Sequence, residues 1–246
     1  MVDPQYWILK KLFRREPDIL AGDVYRGASK LRVLLGDEFL GRVRGKTVID
    51  FGCGEGREAI ELAQHGAARV IGIDIRENLL EQARRHAIEE RVDGVCRFGL
   101  SAEEKADVIV SLDSFEHFAD PAGVLRTMAG LLRPQGEVIA SFGPTWYHPL
   151  GGHLFSVFPW AHLIFSERAL IRWRADFKCD GAVRFQEVAG GLNQMTIHRF
   201  EKLVAQSPLR PVKIESVPIR KLRGLHNRWT REFTTAIVRC QLRAVQ

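Results

Sequence analysis

Two features of the chain have the residue types and spacing to seat a nucleotide-like ligand. The first is Asp50-Phe-Gly52-Cys53-Gly54-Glu-Gly56, where glycines recur at alternate positions directly after an apolar run. Glycine at such positions lets a turn fold tightly and lets a ligand approach the main chain. The second is Asp74, which stands near the end of the run VIGIDI, twenty residues after Gly54. A carboxylate there can accept both hydrogen bonds of a ribose diol, as in other open α/β sheets. A dinucleotide fingerprint would want the third glycine one place later, where Arg57 stands, so the spacing points away from NAD.

These residues need a sheet to hold them. Between residues 46 and 142 the strand-like runs KTVIDF, ARVIGIDI, GVCRFG, ADVIVSLD and GEVIASF alternate with the helical stretches REAIELAQHG, RENLLEQARRHAIEE and PAGVLRTMAGLLRP. That alternation predicts a parallel sheet with helices on both faces. With 246 residues, 46% of them apolar, the chain suits one large domain or a domain with a sizeable insertion.

Composition narrows the partners. Cys53, Cys96, Cys179 and Cys240 are widely spaced and form no CxxC pair, which argues against a disulfide framework or zinc knuckle and for a reducing, cytoplasmic setting. The N-terminal stretch lacks the layout of a signal peptide, and no apolar run reaches membrane-spanning length. The net charge of +6 is unevenly placed: from Arg199 onward, Arg199, Lys202, Arg210, Lys213, Arg220, Lys221, Arg223, Arg228, Arg231, Arg239 and Arg243 outweigh Glu201, Glu215 and Glu232. Such a face suits a nucleic acid, an anionic membrane or an anionic small molecule, although a solvated surface is the commoner meaning.

In that order, VIDFGCGEG, VIGIDI, ADVIVSLDSFEH and LLRPQGEVIAS resemble the class I S-adenosylmethionine-dependent methyltransferases, and most of all the small-molecule branch typified by the quinone-biosynthesis enzymes. The resemblance implies an α/β fold, a seven-stranded Rossmann-like sheet with the last strand antiparallel and helices on both faces. PVKIESVPI and REFTTAIVRCQL would supply strands six and seven, preceded by the helix TIHRFEKLVAQ. It also implies S-adenosylmethionine as cofactor, with S-adenosylhomocysteine as product. Asp50, Gly52, Cys53, Gly54 and Gly56 would line the methionine and ribose, while Asp74 would hold the ribose hydroxyls. Ile75 would pack on adenine, and Leu112 and Asp113 would sit by the sulfonium. The family commonly carries an acid near the adenine amino group, but this chain reads Gly99-Leu100-Ser101-Ala102-Glu103, which leaves Ser101 or Ala102 for that contact.

Methyl transfer from a sulfonium is an in-line displacement, so the protein must align the acceptor, exclude water and, for a hydroxyl, remove a proton. The Asn-Pro-Pro-Tyr or Asp-Pro-Pro-Tyr of amine and amide N-methyltransferases is replaced here by Ser111-Leu-Asp-Ser-Phe-Glu-His, and no cysteine lies in a Pro-Cys loop. Asp113, Glu116 and His117 have D-x-x-E-H spacing, which places them on neighbouring faces of a helical turn. Two readings stay open. One is a divalent metal site completed by His148 or His153, resembling arrangements in some quinone and small-RNA 3'-end methyltransferases. The other has no metal, with His117 lining the pocket and Glu116 capping a helix; it is preferred because no second ligand spacing is fixed. His117 is then the first candidate for general base, followed by His148 and His153.

Residues 144–195 form a connection long enough to be a functional lid. The expected organisation is therefore a cofactor-binding core with N-terminal helices (1–143), a cap over the acceptor pocket (144–195) and a last helix with strands six and seven (196–246). Gly151-Gly152 reads as a hinge, and Trp146, Tyr147, Phe155, Phe158 and Trp160 read as apolar walls or as the cap's own core. Gly190-Gly191-Leu-Asn193 reads as a second flexible turn. YWILKKLFRRE reads as an amphipathic helix that covers the cofactor cleft or rests on a membrane surface, and Tyr25 and Arg26 as closing on the cofactor's carboxylate. The function expected is O-methylation of a small hydroxylated acceptor: a sugar, a natural product or a quinone-like lipid. The alternatives are an RNA methyltransferase using the basic C-terminal face and a catalytically silent cofactor-binding subunit; nucleic acid is not the favoured partner.

Overall fold

Val48 and Ile49 point to opposite sides of strand β1 (Thr47–Phe51), and both are fully buried. The same alternation recurs in the other central strands, so apolar side chains cover both faces of one sheet, as a parallel sheet requires. The computed structural model describes residues 3–13, 25, 27–188 and 190–245. Its further strands are β2 (Arg69–Ile73), β3 (Cys96–Gly99), β4 (Ala106–Leu112), β5 (Leu132–Phe142), β6 (Leu209–Pro218) and β7 (Thr235–Ala244). They are ordered β3-β2-β1-β4-β5-β7-β6. Strands β1 to β5 pair in parallel, and β7 runs antiparallel to both β5 and β6. This is the seven-stranded arrangement with an antiparallel last strand that the resemblance implied. One difference is local: Arg231–Thr234 forms a helical turn, and β7 begins only at Thr235.

The helices are α1 (Pro4–Leu12), α2 (Lys30–Leu35), α3 (Asp37–Arg42), α4 (Arg57–Gln64), α5 (Glu77–Glu89), α6 (Pro121–Leu131), α7 (Ala161–Ile164), α8 (Glu167–Arg174), α9 (Ile197–Ala205) and α10 (Arg231–Thr234). Leu31, Phe39, Ile60, Leu62 and Ala87 from α2 to α5 pack with Val48, Val70, Val108 and Val110 on one face. Leu125, Met128, Phe200 and Val204 from α6 and α9 pack with Ile49, Ile71, Ile109 and Phe142 on the other. Among the described residues, no helix is long and apolar enough to cross a membrane.

A third apolar cluster lies apart from the sheet. It joins Phe155, Leu170, Trp173, Phe185, Val188 and Leu192 of the segment after β5 to Tyr6 and Leu9 of α1. Helix α1 therefore does not cover the cofactor cleft; its buried side lies against α8. The Tyr6 hydroxyl donates to Asp176 (3.1 Å), and the Trp173 indole donates to the Phe13 carbonyl (2.9 Å). A surface depression of about 860 Å³ beside α1, lined by Trp7, Ile8, Phe13, Trp173 and Phe177 among others, shares no residue with the glycine turn.

The expected hinge at Gly151-Gly152 is a close-packing point instead. Both glycines are buried, and a Cβ on Gly151 would collide with the carbonyl oxygens of Thr145 and Trp146, while one on Gly152 would meet the His162 ring. The His162 ring is locked in turn: Nε2 donates to the Trp146 carbonyl (2.7 Å), leaving Nδ1 to accept from Ser156 Oγ (3.1 Å). Overpacking of this kind costs about 1–3 kcal/mol, so Gly151→Ala is expected to lower the unfolding free energy by that amount in denaturant titration, whereas a true hinge would leave it nearly unchanged.

Candidate active site

The carboxyl ends of β1, β2, β4 and β5 meet at one edge of the sheet. After β1 the chain turns through Gly52, Gly54 and Gly56, all at positive φ (86°, 52° and 79°). The Gly52 and Cys53 amides both donate to the Ile73 carbonyl (2.8 and 3.0 Å), and the Gly54 amide donates to Asp74 Oδ2 (2.9 Å). Gly56 starts α4, where a Cβ would lie 2.8 Å from both Ala83 and the Phe98 ring. The spacing of glycines thus follows from main-chain conformation and from contact with α5 and β3.

Asp74 is buried, yet it stays ionised. Burial pushes its carboxyl up, but Arg76 outweighs this by donating from its main-chain amide and from both ends of its guanidinium (2.9–3.0 Å), leaving the pKa below the ordinary value. Asp50 has no comparable partner. One carboxyl oxygen is orphaned, and desolvation, followed by the nearby Glu58, raises its pKa well above the usual range. Ile75 is 89% exposed beside Asp74, and Ser101 and Ala102 lie in the loop after β3.

At the end of β4, Leu112 is buried and Asp113 adopts φ 52°, a conformation that aspartate tolerates better than most residues. Its carboxylate accepts from the Tyr25 hydroxyl (2.7 Å), and Lys30 Nζ stands 3.7 Å from both Asp113 and Glu58. Burial first, and Asp113 second, push the Tyr25 phenol above its ordinary pKa. The partner of Tyr25 is thus this acid, and Arg26 lies outside the described residues.

Glu116 and His117 follow in a tight turn. Glu116 does not act as a helix cap: Oε1 accepts from the Gly143 amide (3.1 Å), whereas Oε2 is buried without a partner among the described residues. Desolvation, then Asp113, raises its pKa to about 8. His117 Nδ1 must donate to the Gly191 carbonyl (2.8 Å), so the neutral ring carries its lone pair on Nε2. Burial lowers its pKa.

His153, at φ 51°, brings its ring centre to 5.2 Å from that of His117, and its Nε2 is also buried and unpartnered. One ligand atom from each of Glu116, His117 and His153 lies within 4.8 Å of the other two. An oxygen and two imidazole nitrogens could hold a divalent cation or bind an acceptor hydroxyl. His148 stands outside this group, with Nδ1 accepting from the Leu150 amide (2.9 Å).

Asn193, expected as part of a flexible turn, is a latch. Its amide nitrogen donates to the carbonyls of Phe115 and Phe118 (2.7 and 2.8 Å), and its main chain donates to the Glu116 carbonyl (2.9 Å). The far end of the segment after β5 is thereby fastened to the turn bearing Glu116 and His117. The only sequence signal was an asparagine after two glycines, which cannot reveal a partner some 75 residues away. Among the aromatic residues, Phe155 is wholly buried in the segment's own core, while Tyr147 is 36% exposed.

Comparison with known proteins agrees with this architecture. A family model described as a methyltransferase domain matches residues 23–204. The ubiquinone biosynthesis O-methyltransferase of Neisseria meningitidis serogroup C (strain 053442) is 40% identical over 106 residues, 40% of this chain and 44% of that protein. Its counterpart in Stutzerimonas stutzeri (strain A1501) is 40% identical over 117 residues, 45% of this chain and 50% of that one. The chain thus spans about half the length of the curated relatives it matches. Among solved structures, an S-adenosylmethionine-dependent methyltransferase from Mesorhizobium loti aligns with TM-score 0.55 at 18% identity, covering 84% of this chain and 96% of that one. Geranyl diphosphate C-methyltransferase from Streptomyces coelicolor A3(2) aligns with TM-score 0.55 at 17% identity, covering 85% and 79%. These structural likenesses concern the fold.

Burial lowers the pKa values of His148 and His153 from 6.5 to about 4. The folded state therefore binds fewer protons than the unfolded chain between those values, and the stability present above pH 6.5 is lost as pH falls toward 4. Thermal unfolding from pH 7 to 4 is expected to follow this slope. His148→Asn, which keeps an acceptor for the Leu150 amide, should make it shallower; an unchanged slope would contradict the assignment.

Proposed function

The chain belongs to the methyltransferase-domain family, and on that premise we propose that it is an S-adenosylmethionine-dependent O-methyltransferase whose acceptor is a small hydroxylated, quinone-like lipid. One observation carries this reading: the glycine turn with Asp74 and the Glu116-His117-His153 group occupy the same carboxyl edge of one sheet, where such sheets bind their ligands. Ubiquinone biosynthesis O-methyltransferases among the relatives support the choice of acceptor.

Asp74 receives the ribose hydroxyls in place of the Arg76 guanidinium, with Gly52, Cys53, Gly54 and Gly56 presenting main chain to the ribose and methionine. The exposed Ile75 side chain covers adenine, and Ser101 and Ala102 meet its edge. Asp50 lies with the glycine turn beside the methionine and ribose, while Leu112 and Asp113, at the end of β4, lie toward the sulfonium. The acceptor oxygen attacks the methyl carbon as the carbon–sulfur bond breaks, and His117 Nε2 takes the hydroxyl proton, giving a methyl ether and S-adenosylhomocysteine. Residues 144–195 act as the cap that keeps water from this centre, and a lipid acceptor calls for a peripheral membrane contact.

A second reading is favoured by the orphaned Glu116 Oε2 and His153 Nε2. Glu116, His117 and His153 fit a divalent cation, which would polarise the acceptor oxygen. The two readings compete for one lone pair on His117, and sensitivity of turnover to a chelator decides between them.

Calorimetric titration of S-adenosylhomocysteine is expected to show binding weakened about 10- to 100-fold by Asp74→Ala, as loss of charge-assisted hydrogen bonds requires. His117→Gln should leave that affinity intact and lower kcat on a catechol about 10²- to 10⁴-fold. Unchanged cofactor affinity in the first variant, or unchanged kcat in the second, would remove those residues from these roles.

A further inference from the structure

The connection between β6 and β7 leaves four cations and three large apolar side chains facing solvent. Arg220, Lys221, Arg223 and Arg228 are exposed and have no carboxylate partner among the described residues. The remaining arginine, Arg231, is neutralised by Glu201 (2.6 Å), and the single acid of the connection, Glu232, is engaged by the Ile197 and His198 amides that start α9 (3.0 and 2.8 Å). Trp229 is 78% exposed with Arg228 stacked at 4.4 Å, and Leu225 and Phe233 are 63% and 45% exposed.

The position is as telling as the composition. Strand β6 runs parallel to β5, because both are antiparallel to β7, so the connection leaves the sheet at the same carboxyl edge as Asp74 and Glu116. It is tied to the start of the cap: the Phe233 ring lies 5.2 Å from Tyr147, and Thr145 Oγ1 donates to the Glu232 carbonyl (3.5 Å).

We infer that this connection docks the protein on an anionic membrane surface, with its four free cations over the headgroups and Trp229, Leu225 and Phe233 at the acyl boundary. The charges complement anionic lipid, and an exposed indole with aliphatic and aromatic neighbours suits the interfacial layer. An exposed leucine adds little to a nucleic-acid surface, where stacking and phosphate contacts do the binding. Docking would turn the active-site edge toward the bilayer, so the inference rests on the lipid-acceptor reading above and gives that acceptor its route of entry.

The test uses the full chain with vesicles of phosphatidylcholine alone or mixed with phosphatidylglycerol, followed by sedimentation and tryptophan emission. Partition into the mixed vesicles should exceed that into neutral ones at least tenfold and fall with added salt. The fourfold Arg220→Gln, Lys221→Gln, Arg223→Gln, Arg228→Gln variant should lose about tenfold or more, and Trp229→Ala should lose the blue shift. Both should keep the unfolding temperature, S-adenosylhomocysteine affinity and turnover on a water-soluble catechol. Equal partition into neutral vesicles, variants that bind as well as the parent, or tighter binding to single-stranded RNA than to anionic vesicles would overturn the inference, the last in favour of a nucleic-acid partner. Failure of the parent protein to methylate any catechol would instead sink the acceptor reading and leave the vesicle result to judge the surface alone.

Discussion

Everything at the active edge depends on how the end of β1 is tied to the end of β2. Two amides of the glycine turn converge on the Ile73 carbonyl, and a third reaches the Asp74 carboxylate. No side chain but hydrogen could follow that path at Gly56, where Ala83 and Phe98 press against the main chain. The turn then leads directly into α4, so the main chain that would face a cofactor is held by the sheet on one side and by α5 and β3 on the other. Burial of the carboxylate that anchors the turn is tolerated because the amide and the Arg76 guanidinium satisfy it together.

The remaining electrostatics follow a common pattern, in which buried groups without a matching charge are driven toward their neutral forms. Asp50 and Glu116 are driven toward their protonated forms, and His117, His148 and His153 toward their neutral ones. Charge survives where it is matched, as at Asp74 with the Arg76 guanidinium. A site of this kind offers a lone pair on a neutral imidazole and little competing charge, which suits removal of a proton from a hydroxyl in step with methyl transfer.

Much of this was legible in the residues. The sheet came through because each parallel strand carries an apolar run that gives way to glycine or aspartate at its carboxyl end, and the turn because alternate glycines have few other meanings. D-x-x-E-H is visible as a set with His148 or His153 as its completion, but which histidine comes near Glu116 and His117 is set by the fold, and it is His153. What stayed hidden depends on tertiary neighbours. Gly151-Gly152 looks like a hinge until Thr145, Trp146 and His162 are packed on it. Asn193 looks like part of a loop until it bridges to Phe115 and Phe118. Helix α1 has an amphipathic pattern that does not say which apolar surface it will meet, and that surface is α8. The C-terminal charge excess is plain as a count, but only the fold separates Arg231, which is paired, from Arg220, Lys221, Arg223 and Arg228, which have no carboxylate partner among the described residues.

The most direct measurement supplies S-adenosylmethionine labelled in its methyl group together with a catechol bearing a prenyl tail, and follows the label by mass spectrometry. The label should appear as a methyl ether on a ring hydroxyl, with one S-adenosylhomocysteine formed for each. Label that remains on bound cofactor, or that arrives at carbon or nitrogen instead of oxygen, would contradict it.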